Sequence, residues 1–498
     1  MTKEDIDIVS GIMELQKNGC RLDILPEKYK KIRNVVEYAV FFNPWELLNA
    51  DESFYDDEMV INSAVVNKGE MLQYASERLR ENRYTVLKAI DNDGMSLKYA
   101  GSNMRNNKAV VLTAIKKTAS AFQFASEALR DNPDIARPAV KLDGNNLEYA
   151  GETIKKDKKI VLAAVKQNGM ALHFAAEELK NDKEVVMAAI KQAGKQAYLP
   201  FQWASAELRK DPEVVKKAVS LSGLSIQYAD ESYLKDRKTV LSAVKENGCV
   251  LGILDGDFRN DFDINLAAVK SNPDALDYID RKLAGGAENN RKKCKALAKE
   301  RKVEHIVHFT YIKNLESILD KGILTREDIE NGKAGTKDVD CFVTDDMRLD
   351  NQENTVSLSI TKPNESMFSA KRYYSELDAN HWCVIRMKAE DILNHECLFF
   401  QHNAACRFYV EDDEDCVKKA ERNTVFDFAS MFDFSAVANG LTSDVQAEIM
   451  SVGQIPVNEI DSVVFNSEET ASAFRSKLEE KEIKVLINKV DTEIDYFV

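Results

Sequence analysis

A pattern that returns every 25 residues dominates the first half of this 498-residue chain. Asn or Asp recurs at Asp57, Asn82, Asn107, Asn132, Asp157 and Asp182, and after an insertion of four residues at Asp211, Asp236 and Asp261. Eight residues after each stands Val or Ile, as at Val65, Ile90 and Val165. Twelve after it there is usually Gly (Gly69, Gly94, Gly144, Gly169, Gly194, Gly223, Gly248), and then an aromatic, as at Tyr74, Tyr99 and Phe174. Asn and Asp accept hydrogen bonds from the orphan N–H groups of a helix start. Pro133 and Pro212 follow two of them at the first helical position, where proline is tolerated. The run Ile160–Val165 predicts a short core helix, with Gly169 ending it in the left-handed conformation and a second helix around Leu172–Leu179. A hairpin of this size cannot bury its own apolar face, so the copies must stack into an α-solenoid. The expected layout is an N-terminal helical cap over 1–56 and nine repeats over 57–283.

The lines Ala164–Gly169 and Phe174–Val186 resemble a repeat family of unassigned function. A solenoid reads as a surface that recognises a target or trigger, against the plainer alternative of a spacer or stabilising scaffold. One aromatic per repeat could form a base-stacking stripe, but beside Ala at helical spacing it reads as core, and His173 as a helix-face residue. Gly285–Gly286 break the repeat. The run to Lys302, rich in Lys and Arg, reads as a basic linker or solvated helix over 284–302, or as a basic edge beside an active site.

From Val303 the texture changes to short β-like runs: Glu304–Phe309, Thr355–Ile360, Trp382–Arg386, Ser462–Phe465 and Lys484–Ile487, with a helical pattern at Asn314–Leu319. This predicts an α+β domain over 303–498. Charge divides at the same place. Residues 1–302 carry 48 Lys and Arg against 45 Asp and Glu, a balance of +3; residues 303–498 carry 20 against 38, a balance of −18. Such a domain is a poor non-specific nucleic-acid binder, because phosphate neutralisation supplies most of that affinity. The 8 Cys include no CxxC pair and read as reduced thiols of a cytoplasmic protein, with no zinc site. No apolar run reaches the roughly 18–20 residues of a membrane span, and the first residues lack a signal-peptide pattern. Phosphate-loop, nucleophile-elbow and HExxH motifs are all missing, and Cys397 with His395 and His402 reads as structural.

A series of short segments in this half resembles, in order, the DarT family of NAD-dependent ADP-ribosyltransferases, of the broader poly(ADP-ribose)-polymerase-like fold. They are His308–Thr310, Asn314–Leu315, Ile318–Gly322, Arg348–Asp350, Val356–Ile360, Pro363–Asn364, Met367–Phe368, Arg372, Trp382, Phe399, Asn403–Ala405, Gln446–Glu448 and Ile455–Pro456. The resemblance implies transfer of ADP-ribose from NAD to a nucleobase, thymine in single-stranded DNA, with no metal. Glu448 matches the family's catalytic glutamate. Arg348 matches its second catalytic residue and a cofactor contact; an arginine stays protonated, so it would hold phosphate or a deprotonated base. His308, Phe309 and Thr310 match the NAD-contact motif, with Ser317 and Thr325 as further NAD contacts. Asn364, Met367, Arg372 and Asn403 would face the substrate. The family's activity implies a toxin or anti-phage effector, held in check by a macrodomain antitoxin or by the solenoid until a phage-derived trigger binds it. The acidic balance, and Glu365–Ser366 where basic or aromatic residues are expected, leave RNA or protein open as acceptor. A non-enzymatic binding protein with a degenerate transferase fold is the remaining alternative.

Overall fold

The computed structural model describes residues 3–332, 354–363, 377–402, 422–435, 440–444, 447–488 and 496–497. They fall into two compact units, Met1–Lys235 and Asp236–Val498. Among the described residues no helix is long and apolar enough to cross a membrane.

The repeat forms as its caps dictate. At all nine periodic Asn and Asp positions the side chain accepts from a backbone N–H two or three residues on. One copy illustrates the unit. The helix Lys158–Gln167 buries Ile160, Val161, Ala164 and Val165 completely. The second arm is not one continuous helix: it is a 3-10 segment, Gly169–Phe174, followed by a single turn, Glu177–Lys180. A further copy stands upstream of the sequence period, with helix Arg33–Phe42 and 3-10 segment Pro44–Asn49. Its cap position is Ile32, which has no side-chain acceptor, and this hid the copy from the periodic pattern. The aromatics from Tyr74 to Tyr228 are half-buried rather than open, while Tyr278 is exposed. His173 is exposed and its ring lies 4.6 Å from that of Trp203.

The glycines do something other than expected. Of the series, Gly194 alone adopts a positive φ, +56°, at the four-residue insertion. Helix Lys158–Gln167 instead ends at an extended Asn168, φ −144°. Glycine is needed because the next repeat comes too close for a side chain. A Cβ on Gly94 or Gly144 would lie 2.5 Å from the carbonyl oxygen of Ala114 or Ala164, and Gly69, Gly169 and Gly248 face Ala89, Ala189 and Ala268 in the same way. Neighbouring copies are also joined by backbone bonds, such as Gly151 N–H to Arg130 O at 3.1 Å and Ala176 N–H to Lys155 O at 3.1 Å. Charged pairs cross the same joints: Lys183 reaches Asp211, the next cap, at 2.9 Å and holds its carboxyl below the usual range.

The second unit contains the last two repeat helices, Arg237–Glu246 and Phe262–Ser271, and a mixed sheet. Its strands are β1 (His305–Tyr311), β2 (Thr355–Ile360), β3 (Trp382–Lys388), β4 (Cys397–Phe400), β5 (Glu448–Val452), β6 (Ile460–Phe465) and β7 (Lys484–Ile487). Among the described residues their order is β4-β5-β2-β1-β3-β6-β7, antiparallel except for β6–β7. β4 and β5 were not foreseen. One core cluster joins Val307, Tyr311, Trp382, Val384, Val464 and Phe497 across β1, β3 and β6.

The stretch expected as a basic linker or solvated helix is a helix, Ala287–Arg301, and one face of it is packed, with Cys294, Leu297, Ala298 and Arg301 buried. Its cations are engaged locally: Arg291 and Lys295 bond Asn394, Lys293 lies 3.4 Å from the Phe262 ring centroid, and Arg301 lies over Phe434.

Gly169→Ala should destabilise the chain by about 1–3 kcal/mol, the scale of an overpacked core site. Gly256→Ala, where a Cβ meets open space, should be close to neutral. Urea unfolding of the two full-length variants checks this.

Candidate active site

The sheet is not evenly zipped. β1 and β3 stay in register over seven pairs, from His305↔Lys388 to Tyr311↔Trp382. β2 and β5 are registered over four pairs, Thr355↔Val452 to Leu358↔Ile449. Between them, β1 and β2 share only two, Ile306↔Ile360 and Val307↔Ser359. Beyond Val307 the two strands are no longer registered, and the residues singled out from sequence gather there.

His308 follows the last registered residue of β1. Its Nδ1 lies 3.0 Å from the backbone carbonyl of Ser357 on β2. A carbonyl only accepts, so Nδ1 carries the proton and the tautomer is set. The Ser357 hydroxyl in turn donates to Oε1 of Glu448, the first residue of β5. Glu448 is only 4 % exposed. A carboxylate so withdrawn from water needs donors, and Ser357 supplies one from the neighbouring strand. Three strands thus bring His308, Ser357 and Glu448 together, although 140 residues separate the outer two in sequence.

The approach to Glu448 is pinned as well. Phe400 of β4 lies opposite it in the ladder. Just before it, Ala447 N–H bonds Asp444 O at 3.1 Å, and the Asp444 carboxylate holds His402 Nδ1. Ser443 is tied through both its N–H and its hydroxyl to Met431 O, at 2.8 and 3.1 Å.

The remaining expected residues divide. Thr310 is 8 % exposed, and its hydroxyl lies 3.4 Å from Asn314 Nδ2. The Phe309 ring packs against the β1–β3 core, 6.4 Å from the Trp382 ring. Ser317 is half-buried on the helix Leu315–Lys321. Thr325 is buried and caps the helix Arg326–Glu330 in a reciprocal box with Asp328, so its hydroxyl already serves the fold. Gly322, at φ +84°, lets Ile323 bridge to Ile455, since a Cβ there would meet the Ile455 carbonyl. Arg348, Asn364, Met367, Arg372 and Asn403 lie outside the described residues. Ser357 and the His402–Asp444 pair were missed. Thr355, Ser357 and Ser359 alternate with apolar residues along the strand, so nothing in the sequence singled out the first.

Residues 307–498 match the family described as ssDNA thymidine ADP-ribosyltransferase, DarT. This second part of the chain is similar to that transferase family. Seven segments between residues 56 and 283 match a domain of unknown function, DUF4116. No curated protein matches the chain. Among solved structures, the chain is similar to Thermosipho africanus DarTG in complex with ADP-ribose, at 17 % identity and TM-score 0.28, covering 37 % of this chain and 50 % of that one. It is also similar to Thermus sp. 2.9 DarT in complex with ADP-ribosylated ssDNA, at 14 % identity and TM-score 0.27, covering 38 % and 95 %. The same Thermus DarT in complex with NAD+ gives 15 % identity and TM-score 0.25, covering 38 % and 96 %. The chain therefore spans half the length of the first relative and nearly all of the Thermus protein.

Thr325→Ala should lower stability by about 1 kcal/mol, the usual worth of a helix cap, whereas Thr325→Ser should retain it. Urea unfolding of the full-length variants measures the difference.

Proposed function

We propose that the chain is an NAD-dependent mono-ADP-ribosyltransferase that modifies thymine in single-stranded DNA. The observation that carries this reading is the buried Glu448 carboxylate, held by Ser357 beside His308 where β1 and β2 lose their register. It stands in a domain matched over 307–498 to a family described by that activity.

The chemistry asks for such a carboxylate. Cleaving the bond between nicotinamide and ribose builds positive, oxocarbenium-like charge on the ribose, as in glycoside cleavage. A fixed carboxylate stabilises that charge without reorganising when it appears. Glu448 is the group for this task. The Ser357 hydroxyl, donating to Oε1, fixes the carboxylate's orientation from a strand rather than from a loop. His308 is held in one tautomer by the Ser357 carbonyl and would contact NAD. Nicotinamide leaves with the bonding pair, the thymine nitrogen attacks the ribose carbon, and the nitrogen's proton passes to solvent or a neighbouring base. Arg348 would stabilise the deprotonated thymine or a phosphate, since its guanidinium does not give up its own proton at ordinary pH.

Such an enzyme damages the DNA of its own cell. The reading therefore includes a cytoplasmic toxin or anti-phage effector, an antagonist that removes ADP-ribose, such as a macrodomain antitoxin, and a solenoid that senses a phage-derived trigger or selects the target.

The test incubates the full chain with labelled NAD and, separately, single-stranded DNA, duplex DNA, RNA and cell lysate. Label is expected on single-stranded DNA and should vanish with Glu448→Ala. Label only on RNA or lysate protein would overturn the acceptor, and no label anywhere would overturn the enzymatic reading. Ser357→Ala should slow nicotinamide release about tenfold or more, the worth of one hydrogen bond to a charged group, with Ser357→Thr retaining much of the rate.

A further inference from the structure

The helix Val425–Ser430 is buried along its whole length, in a segment that the family resemblance left without a role. It packs against the chain's last repeat and the helix that follows. Phe426 meets Phe262 of the repeat helix at 5.2 Å between ring centroids. Asn290, on the helix Ala287–Arg301, bonds both ends of the same turn: its Nδ2 donates to Asn423 O, and its Oδ1 accepts from Val425 N–H at 2.7 Å. At the centre lies Asp427, 2 % exposed, whose Oδ2 accepts from the Thr424 hydroxyl at 2.5 Å and whose Oδ1 accepts from Arg281 Nε at 2.8 Å. Arg281 belongs to the end of the repeat array, 146 residues upstream.

The other side of this buried helix leads directly to the catalytic strand. Phe428 packs on Phe399 of β4 at 4.9 Å, and Phe399 N–H bonds Arg422 O at 2.9 Å. Phe399 and Phe400 are the ladder partners of Ile449 and Glu448. Met431, just beyond the helix, receives both bonds from Ser443, five residues before Glu448. A third tie comes from the end of the helix Ala287–Arg301. Gly440, at φ +77°, lies so close to the Lys302 carbonyl that a Cβ would fall 2.7 Å from it, and Thr361 Oγ1 bonds Gly440 O at 2.6 Å.

We propose that Arg281, in the last repeat of the solenoid, is a positioning residue for Glu448, acting through Asp427 and the buried helix Val425–Ser430. The proposal rests on the transferase reading given above. Its physical basis is the buried carboxylate of Asp427. Removing the arginine leaves a charge in the interior with only the neutral groups of Thr424 beside it, a strongly destabilising arrangement. The helix must then shift or expose Asp427, and β4 packs on that helix through Phe428 while the Ser443 turn is bonded to Met431 just beyond it. The end of the array is thus a working part of the catalytic unit, and a ligand that displaces the last repeat acts on the site by the same route.

The experiment uses the full chain with Arg281→Leu, Arg281→Gln and Arg281→Lys. Amide hydrogen exchange is followed over 425–430 and 448–452, together with kcat and KM for NAD on single-stranded DNA. In Arg281→Leu and Arg281→Gln, exchange in both segments should rise at least about tenfold, as expected when a local unit loosens without global unfolding. In those variants kcat should fall about tenfold, a barrier change of about 1.4 kcal/mol, with KM for NAD within about twofold of wild type. Arg281→Lys, which keeps the charge, should restore most of both. Unchanged exchange over 448–452 overturns the proposal, as does faster exchange with an unchanged kcat. Should Arg281→Leu fail to fold, Arg281→Gln and Arg281→Lys decide the matter. If the wild-type chain transfers no ADP-ribose, the functional reading fails by itself, and the exchange data alone settle whether the last repeat holds the Glu448 strand.

Discussion

A stack of repeats that cannot bury their own faces leaves an apolar face open at the end, and much of the second unit is arranged around closing it. Each 25-residue copy relies on its neighbour for a core, so the last copy needs a cover of different origin. Here the cover is the buried helix Val425–Ser430, with Phe426 set against Phe262. Once an apolar helix lies there, its one acidic residue must be matched, and Arg281 matches Asp427. Burial pushes the Asp427 carboxyl above its ordinary range, and the arginine opposes that shift. The packing of the array's end and the electrostatics of the domain are therefore one problem with one solution.

The site itself depends on a local failure of pairing. A fully zipped sheet would satisfy its backbone groups and leave no room for a ligand between strands. β1 and β2 give up their register after Val307, and the His308 ring and the Ser357 carbonyl satisfy each other across the opening. The buried carboxylate of Glu448 is carried on β5 and held by a serine of β2. Each of these groups stands on a strand that is paired on at least one side, so their geometry is set before any substrate arrives.

How much of this could be read from the sequence varied with how local the cause was. The nine caps, the buried Val and Ile positions, and five of the seven strands follow from local pattern, because capping and alternation act within a few residues. The repeat glycines were legible as glycines but not for their reason, which is the carbonyl of an alanine 20 residues on. The upstream copy was hidden by Ile32, since structure there is supplied by packing rather than by a cap. β4 is four apolar residues with no alternation, and Val425–Ser430 is buried on every side, so neither shows a period. Glu448 is an ordinary Ala-Glu-Ile by composition and was found through resemblance alone. Its partner Ser357 sat in a recognised strand as one of three alternating hydroxyl residues, and its meaning needed β5 beside it.

The joints between copies carry one more consequence. Within the first unit, Gly69, Gly94, Gly144 and Gly169 each make the same close approach to an alanine carbonyl 20 residues on, in copies that share a capping side chain and a span of 25 residues. Nearest-neighbour stability of this kind treats whole copies as interchangeable parts. The array upstream of residue 236 can accordingly grow or shrink by whole copies over evolutionary time, or in an engineer's hands. The closing repeat has no such freedom, because Arg281 and Phe262 are fitted to one particular helix. Length is the adjustable property of this architecture, and the terminal joint is its fixed one.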